Sequence, residues 1–265
     1  MDLLEAKEKK YGSTITSRHP WEQARLSFIK KKMIAYSDLK KGSVVIDIGC
    51  GDVFVSESLA NLFPEVWFYA VDTAFTDDLI SNYKTKMHVK NLILYKNIEE
   101  VVIDVNTKVN TVLLNDVIEH IQDDEKFLKE LLQRNCFDAK TLFLITVPAY
   151  QSLFCSHDIV LGHYRRYTNT SLKKVLKKSG LITFSLGYFF TSLLLLRIIK
   201  VIGEKIFSTT KLKSSTGLSE WEGSELISWF LKTVLLMDIH LVKLFNKIGI
   251  KLPGLSNYAL CRRSV

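Results

Sequence analysis

The sequence predicts an α/β fold built on a mostly parallel sheet, and three observations carry the prediction. The first is Val44-Val-Ile-Asp-Ile-Gly-Cys-Gly-Asp52, a β-branched apolar run that ends in a glycine turn. A strand buried on both faces reads as such a run, and Gly49 and Gly51 lack the Cβ atoms that would keep a ligand off the backbone. The second is Val66-Trp-Phe-Tyr-Ala-Val-Asp72, another apolar run closed by an acid. A carboxylate at the tip of a second strand accepts both hydroxyls of a ribose, so the two segments together read as a nucleoside-binding βαβ unit. The third is that further apolar runs follow in the order such a sheet needs.

A dinucleotide fingerprint requires a third glycine where this chain has Phe54, which disfavours NAD and FAD. No Lys-Ser or Lys-Thr pair follows the glycines to complete a phosphate-cradling loop. The Asp47-x-Gly49-x-Gly51 turn with its strand-two acid instead resembles the class I methyltransferases that use S-adenosylmethionine (SAM). Later segments extend the resemblance. Leu92–Glu99 reads as strand three with Asn97 and Ile98 at its tip, where the family sets a polar and an apolar residue beside the adenine. Asn110–Ile121 reads as strand four running into the Glu119-His120 motif of the small-molecule branch. Leu142–Pro148 reads as strand five, stopped by a proline that cannot continue a ladder. Ile182–Tyr188 and Leu255–Arg262 read as strands six and seven, the last inserted antiparallel.

The resemblance implies a Rossmann-like, seven-stranded methyltransferase sheet, with SAM as cofactor and S-adenosylhomocysteine (SAH) as product. On that basis the cofactor is held by Asp47, Gly49, Cys50, Gly51, Asp72, Asn97, Ile98, Asn115 and Asp116. Arg25, in the helix start His19-Pro-Trp-Glu-Gln-Ala-Arg25, is a further candidate for the cofactor carboxylate, and Trp21 for covering the ligand. A surface ion pair and core packing are the plainer roles for these two.

Thr146 to Thr168 forms a long polar and aromatic loop, and irregular loops of this length usually carry function. Its segment His157-Asp-Ile-Val-Leu-Gly-His-Tyr-Arg-Arg-Tyr167 resembles the H-D-x-x-L-G-H-x-R-R-Y stretch of bacterial methyltransferases associated with cell-surface glycan and secondary-metabolite gene clusters. A helix follows, capped by Thr168 or Thr170 and stopped at Gly180. Residues 190–253 then separate strands six and seven, where a short loop is usual. The chain thus divides into a SAM-binding domain, 1–189 plus 254–265, and a helical insertion, 190–253.

The insertion carries two apolar stretches, Phe189–Phe207 and Leu226–Ile248. Arg197 and Lys200 interrupt the first, and Lys232, Asp238, His240 and Lys243 the second, so neither reads as a membrane span. Lys232, His240, Lys243 and Lys247 fall on one side of a basic amphipathic helix, with Asp238 on the apolar side. A charge there needs a partner, so Asp238 is expected to pair with Arg197 of the first stretch or else to point into the substrate pocket. Three readings of the insertion stay open: a lid over a lipophilic pocket, a surface for peripheral contact with an anionic membrane, or extra core and dimer interface.

Methyl transfer is an in-line displacement at the sulfonium carbon, so the protein has to hold a nucleophile about 3 Å away and remove its proton. Histidine is the natural base near neutral pH. His120 is the first candidate, and His157, beside Asp158, and His163 are the others. A structural hydrogen bond or a solvent-exposed ring is the plainer role for each, and the better one for His88 and His240. Tyr150, Phe154, Tyr164 and Tyr167 offer rings to an aromatic acceptor or anchors to the loop, while Arg165 and Arg166 offer guanidinium groups to a carboxylate or phosphate.

No metal is expected. The alternative is a Mg2+ site from Asp116, Glu119 and His120, which would share one face if the chain turned helical at Asp116. That triplet resembles the E-x-x-E-H site of ubiquinone-pathway O-methyltransferases, with a shorter first acid. The expected reaction is SAM-dependent methyl transfer to an oxygen or carbon of a small lipophilic or aromatic acceptor, free or linked to a carrier or lipid. A non-catalytic SAM-binding protein is one alternative, and a nucleic acid methyltransferase another. The second is disfavoured because Asn115-Asp-Val-Ile118 departs from the Asn/Asp-Pro-Pro-aromatic motif that grips a flipped base.

With 265 residues, 47% of them hydrophobic, the chain can bury a large core. Four scattered cysteines, none in a C-x-x-C pair, argue for a reducing compartment and against both a cysteine zinc site and a disulfide framework. The charged start Met1–Glu8 does not read as a signal peptide, so a cytoplasmic location is expected, at the inner membrane face if the insertion docks. The net charge of +8 is spread over plain helix surface such as Lys173, Lys174, Lys177 and Lys178, and a solvated basic surface explains it as well as an anionic partner does.

Overall fold

The computed structural model describes residues 18–101, 103, 107–207 and 224–264. Met1–Glu8 and Lys247's side chain therefore lie outside the described residues, as does the middle of the insertion. Helix α1 (Pro20–Tyr36) opens with a capping box: the His19 ring accepts from the Trp21 amide at 3.1 Å and Glu22 accepts from the His19 amide at 3.3 Å. Pro20 loses nothing at the first helical position, where an amide would have no intrahelical partner.

Seven strands follow: β1 (Val44–Ile48), β2 (Trp67–Val71), β3 (Leu92–Tyr95), β4 (Val109–Asn115), β5 (Leu142–Pro148), β6 (Leu181–Phe189) and β7 (Ser256–Arg263). They form one sheet in the order β3-β2-β1-β4-β5-β7-β6, parallel throughout except that β7 runs antiparallel to both β5 and β6. This is the predicted Rossmann-like arrangement. Strand order reverses between β1 and β4, and ligands of doubly wound sheets bind at that point, outside the carboxyl ends of the strands.

Helices α2 (Phe54–Leu62), α3 (Asp77–Lys86), α4 (Asp124–Leu132), α5 (Ser156–Val160) and α6 (Asn169–Lys178) connect the strands. Alternate residues of β1 feed opposite cores, Val45 one and Val44 and Ile46 the other, as a pleated strand buried on both faces requires. Thr168 caps α6 by accepting from the Ser171 amide at 3.1 Å, which settles the choice between the two threonines.

Two boundaries shape the site. β3 ends at Tyr95 and a 3-10 turn covers Ile98–Glu100, so Asn97 and Ile98 lie just beyond the strand tip. β4 ends at Asn115, and Asp116 then takes a left-handed φ of 53°. The chain therefore does not turn helical at Asp116; only a 3-10 turn, Ile118–His120, follows.

The insertion contains α7 (Thr191–Phe207) and α8 (Glu225–Lys247). α8 lies along α1 and sends Leu235 and Ile239 into the core, while α7 packs Leu194 and Val201 against Leu153 and Cys155 of the long loop. Asp238 takes neither predicted partner. Its carboxylate accepts from the Ser192 amide and hydroxyl, both at 2.9 Å, and so caps the first turn of α7, where free amides and the helix dipole favour an anion. No helix of the described residues is long and apolar enough to cross a membrane.

Candidate active site

The glycine turn is a backbone device. Gly49 and Gly51 adopt φ of 68° and 62°, and the amides of Gly49 and Cys50 both donate to the Val71 carbonyl, at 2.8 and 3.2 Å. A Cβ on Gly49 would lie 2.7 Å from Val117 Cγ2, so a side chain here would force Val117 to shift as well as straining a left-handed backbone. Asp72 ties β2 to the turn: its carboxylate accepts from the Gly51 amide at 2.8 Å and from the Ala74 amide at 2.9 Å. Val53 shares the left-handed conformation, with φ of 60° at the cap of α2, an uncommon state for a β-branched residue and one the sequence does not signal.

Asp47, Gly49, Cys50 and Asn115 line a cleft at this turn together with Trp21 and Arg25 from α1. Asp47 is buried and accepts from the Ser56 hydroxyl at 2.5 Å; burial pushes its carboxyl up to about 6, against the pull of that hydrogen bond. Arg25 pairs with Asp116 at 2.6 Å, donates to Thr146 Oγ1 at 3.0 Å, and stacks its guanidinium 5.3 Å from the Trp21 ring centre. Burial raises the Asp116 carboxyl, but the Arg25 charge, together with His163 and the Thr146 hydrogen bond, holds the group below its ordinary range. Arg18, which the sequence does not single out, forms a buried ion pair with Asp52 and lies 4.5 Å over the Phe54 ring, pinning the start of α1 to the glycine turn. Asn97 is exposed and Ile98 half-buried, and neither lines that cleft.

The long loop is organised around one buried anion, Asp158. It accepts from the Cys155 amide at 2.9 Å, pairs with His163 Nδ1 at 2.8 Å and with Arg166 Nε at 2.7 Å, and lies 3.9 Å from Arg197 of α7. Burial would raise its carboxyl, but His163 and Arg166 hold it well below the usual carboxylate range. Asp158 thus orients His163 rather than its sequence neighbour His157. On α5, successive side chains point in different directions. His157 is instead pushed down to about 4, first by burial and then by the charges of Arg197 and Lys200.

The loop lies against the 3-10 turn after β4, where the Tyr164 amide donates to the Glu119 carbonyl at 2.8 Å. This brings His120 and His163 together, with ring centres 4.6 Å apart and planes at 76°. Glu119 is fully buried beside them, and neither carboxylate oxygen has a hydrogen-bond partner among the described residues. Burial, then the nearby Asp116 charge, pushes its carboxyl well above the ordinary range. The triplet Asp116, Glu119 and His120 is not assembled, because the left-handed turn directs Asp116 to Arg25. Instead, ligand atoms of Glu119, His120 and His163 all lie within 4.8 Å of one another.

The residues read as acceptor contacts divide. Tyr164 is 53% exposed, and Tyr150 stacks on Tyr188 at 5.0 Å. Arg165 bridges to Asp124 at 3.1 Å and to the Gln122 carbonyl at 2.5 Å. Arg166 and Tyr167 require correction, since both are buried: Arg166 is spent on Asp158 and the Ala149 carbonyl, and the Tyr167 hydroxyl donates to Asp124 at 2.6 Å. They anchor the loop to the body.

A doubly wound sheet with an antiparallel last strand, a glycine turn at its switch point and an acid at the tip of β2 defines the class I SAM-dependent methyltransferases. The methyltransferase-domain family matches residues 21–185, more than half of the chain, and the chain belongs to it. Membership of that family makes SAM the cofactor the cleft is built to suit. It is similar to malonyl-[acyl-carrier protein] O-methyltransferase of Bacillus anthracis, 28% identical over 119 residues that cover 44% of this chain and 41% of that one. The chain thus matches about two fifths of that relative's length. Its fold is shared by phosphoethanolamine N-methyltransferase 2 of Haemonchus contortus, solved with phosphomonomethylethanolamine and SAH, at a TM-score of 0.54 and 15% identity over 92% of this chain and 53% of that one. Coclaurine N-methyltransferase bound to N-methylheliamine and SAH gives 0.55 at 10% identity over 96% and 73%.

Proposed function

We propose that the protein transfers the SAM methyl group to an oxygen of a small lipophilic acceptor, activated at the His120–His163 pair. The carrying observation is that pair: two imidazoles from different segments meet at the end of β4, one oriented by the buried Asp158. A ring held in one tautomer by a carboxylate is suited to proton removal. The name of the Bacillus relative, an O-methyltransferase acting on a carrier-bound acyl group, favours oxygen over carbon and fits a carrier- or lipid-linked acceptor. SAM itself is read onto the cleft of Asp47, Gly49, Cys50 and Asn115, with its ribose at Asp72 and its adenine between Asn97 and Ile98. Arg25, already paired with Asp116, contributes to the methionine end through that pair rather than as a free cation.

The insertion supports docking on the headgroups of an anionic membrane from the cytoplasmic side. α7 exposes Leu195, Leu196, Ile199 and Ile206, and α8 exposes Trp229 and Phe230, each 59–67%. Large apolar side chains left this exposed on neighbouring helices are the kind of surface an interaction site presents. Exposed Lys200, Lys205, Lys243 and Lys251 stand beside it, the charge pattern of a helix lying in a bilayer interface.

Transfer of labelled methyl groups from SAM to lipid, phenol and RNA pools tests the acceptor class. Label in the lipid or phenol pool is expected, and label confined to RNA would overturn the reading. Sedimentation with anionic but not neutral vesicles at low salt is expected. A stable dimer that ignores both vesicle types would assign the apolar face to a second copy.

A further inference from the structure

We infer that Glu119, His120 and His163 form a binding site for one divalent transition-metal ion, at the acceptor-activating pair just proposed. The inference rests on the placement of that pair. Three geometric facts carry it. Ligand atoms of the three residues lie within 4.8 Å of one another, close enough for modest side-chain movement to bring all three onto one ion. Glu119 is fully buried with both oxygens lacking a hydrogen-bond partner among the described residues, and buried carboxylates are ordinarily paired or coordinate metals. His163 gives Nδ1 to Asp158, which leaves Nε2 for a ligand, the carboxylate–histidine–metal relay that fixes the tautomer of metal-binding imidazoles.

The donor set decides the class of ion. Two imidazoles and one carboxylate suit zinc, manganese or iron(II) and leave coordination positions open, whereas magnesium prefers oxygen ligands and water. The surrounding network is consistent with this. Arg166, Arg197 and the Cys155 amide all converge on Asp158 and hold it in place. Asp116, the other acid nearby, is committed to Arg25 and stays out of the set.

An open position on the ion would bind the acceptor hydroxyl and lower its pKa, as zinc does for bound water. The proton leaves to solvent. The oxygen lone pair then forms the O–C bond at the sulfonium methyl, the C–S bond breaks with its electrons on sulfur, and the products are the methylated acceptor and SAH.

The test is calorimetry on the full chain after chelator treatment, with Zn2+, Mn2+ and Mg2+ as probes and SAH as a separate probe of the cofactor cleft. One Zn2+ or Mn2+ per chain is expected, with Mg2+ much weaker. Glu119→Gln and His163→Ala should each weaken Zn2+ by about 100-fold while SAH affinity stays within twofold. A chain that takes up neither Zn2+ nor Mn2+, or variants with unchanged affinity, would overturn the site. Should either variant lose SAH binding, the visible spectrum of Co2+ added to the unaltered chain decides: intense bands of low-symmetry nitrogen ligation support the site, and the spectrum of the aqueous ion refutes it. Methyl transfer by a metal-free chain leaves the proposed acceptor chemistry standing with His120 as base, so the two readings fail separately.

Discussion

The glycine turn and the long loop are built by opposite means. At the turn the architecture rests on backbone: amides of Gly49 and Cys50 fixed to Val71, a missing Cβ against Val117, and Asp72 bonded to main-chain amides. At the loop it rests on side chains gathered around Asp158, with α7 supplying the outer support. There Glu204 accepts from the Ser156 amide at 3.2 Å and its hydroxyl at 2.9 Å, and Arg197 donates to Cys155 Sγ at 2.8 Å. A cofactor common to a whole fold class can be met by a shape of the main chain. An acceptor peculiar to one protein needs replaceable side chains, and these depend on one another.

If the loop depends on one anion, Asp158→Asn should be the most damaging single change. It leaves Arg166 and His163 without their partner and is expected to lower stability by about 3–5 kcal/mol in denaturant unfolding. SAH affinity of the folded fraction should stay near normal, because none of the turn's bonds involve Asp158. Parallel loss of SAH binding would show that the two regions are one unit.

The turn is broken from its own side by Gly49→Ala. A left-handed alanine costs about 1–2 kcal/mol, and overlap with Val117 adds about 1–3 kcal/mol. Calorimetry should show SAH weakened more than tenfold. Asp72→Ala is expected to cost about 1.5–3 kcal/mol of SAH affinity through loss of a charged acceptor, so an effect within twofold would remove the ribose from this residue.

The smallest effect sharpens the distinction between the loop histidines. His157, held at about 4 against an ordinary 6.5, refuses a proton that the unfolded chain accepts between those values. Stability should therefore rise with pH from about 4 to 6.5 and level off above. For one partly solvated group the slope is below about 1.4 kcal/mol per pH unit. His157→Asn should flatten it, as measured by urea midpoints across that range.

The sheet was legible because a fully buried parallel strand has to be an apolar run. β1 and β5 fall at their predicted residues, and β6 and β7 within one residue at either end. The glycine turn was legible for the same reason: backbone constraints restrict residue type locally. What sequence spacing does not encode is the partner of a charge. Asp158 lies next to His157 yet binds His163, Asp238 caps Ser192 rather than meeting Arg197, and Asp116 turns to Arg25 because one left-handed residue cancels the helical spacing. Arg166 and Tyr167 read as acceptor contacts because a polar aromatic loop looks the same whether its side chains point outward or anchor it. Arg18 carried no signal beyond standing before the His19 cap.

The most direct test of separable halves is His120→Ala, measured both by SAH calorimetry and by turnover on the labelled acceptor pool. The expected result is a rate lowered about 100-fold or more with SAH affinity within twofold, as the proposed acceptor-side role of His120 requires. A normal rate, or a loss of SAH affinity that matches the loss of rate, would contradict it.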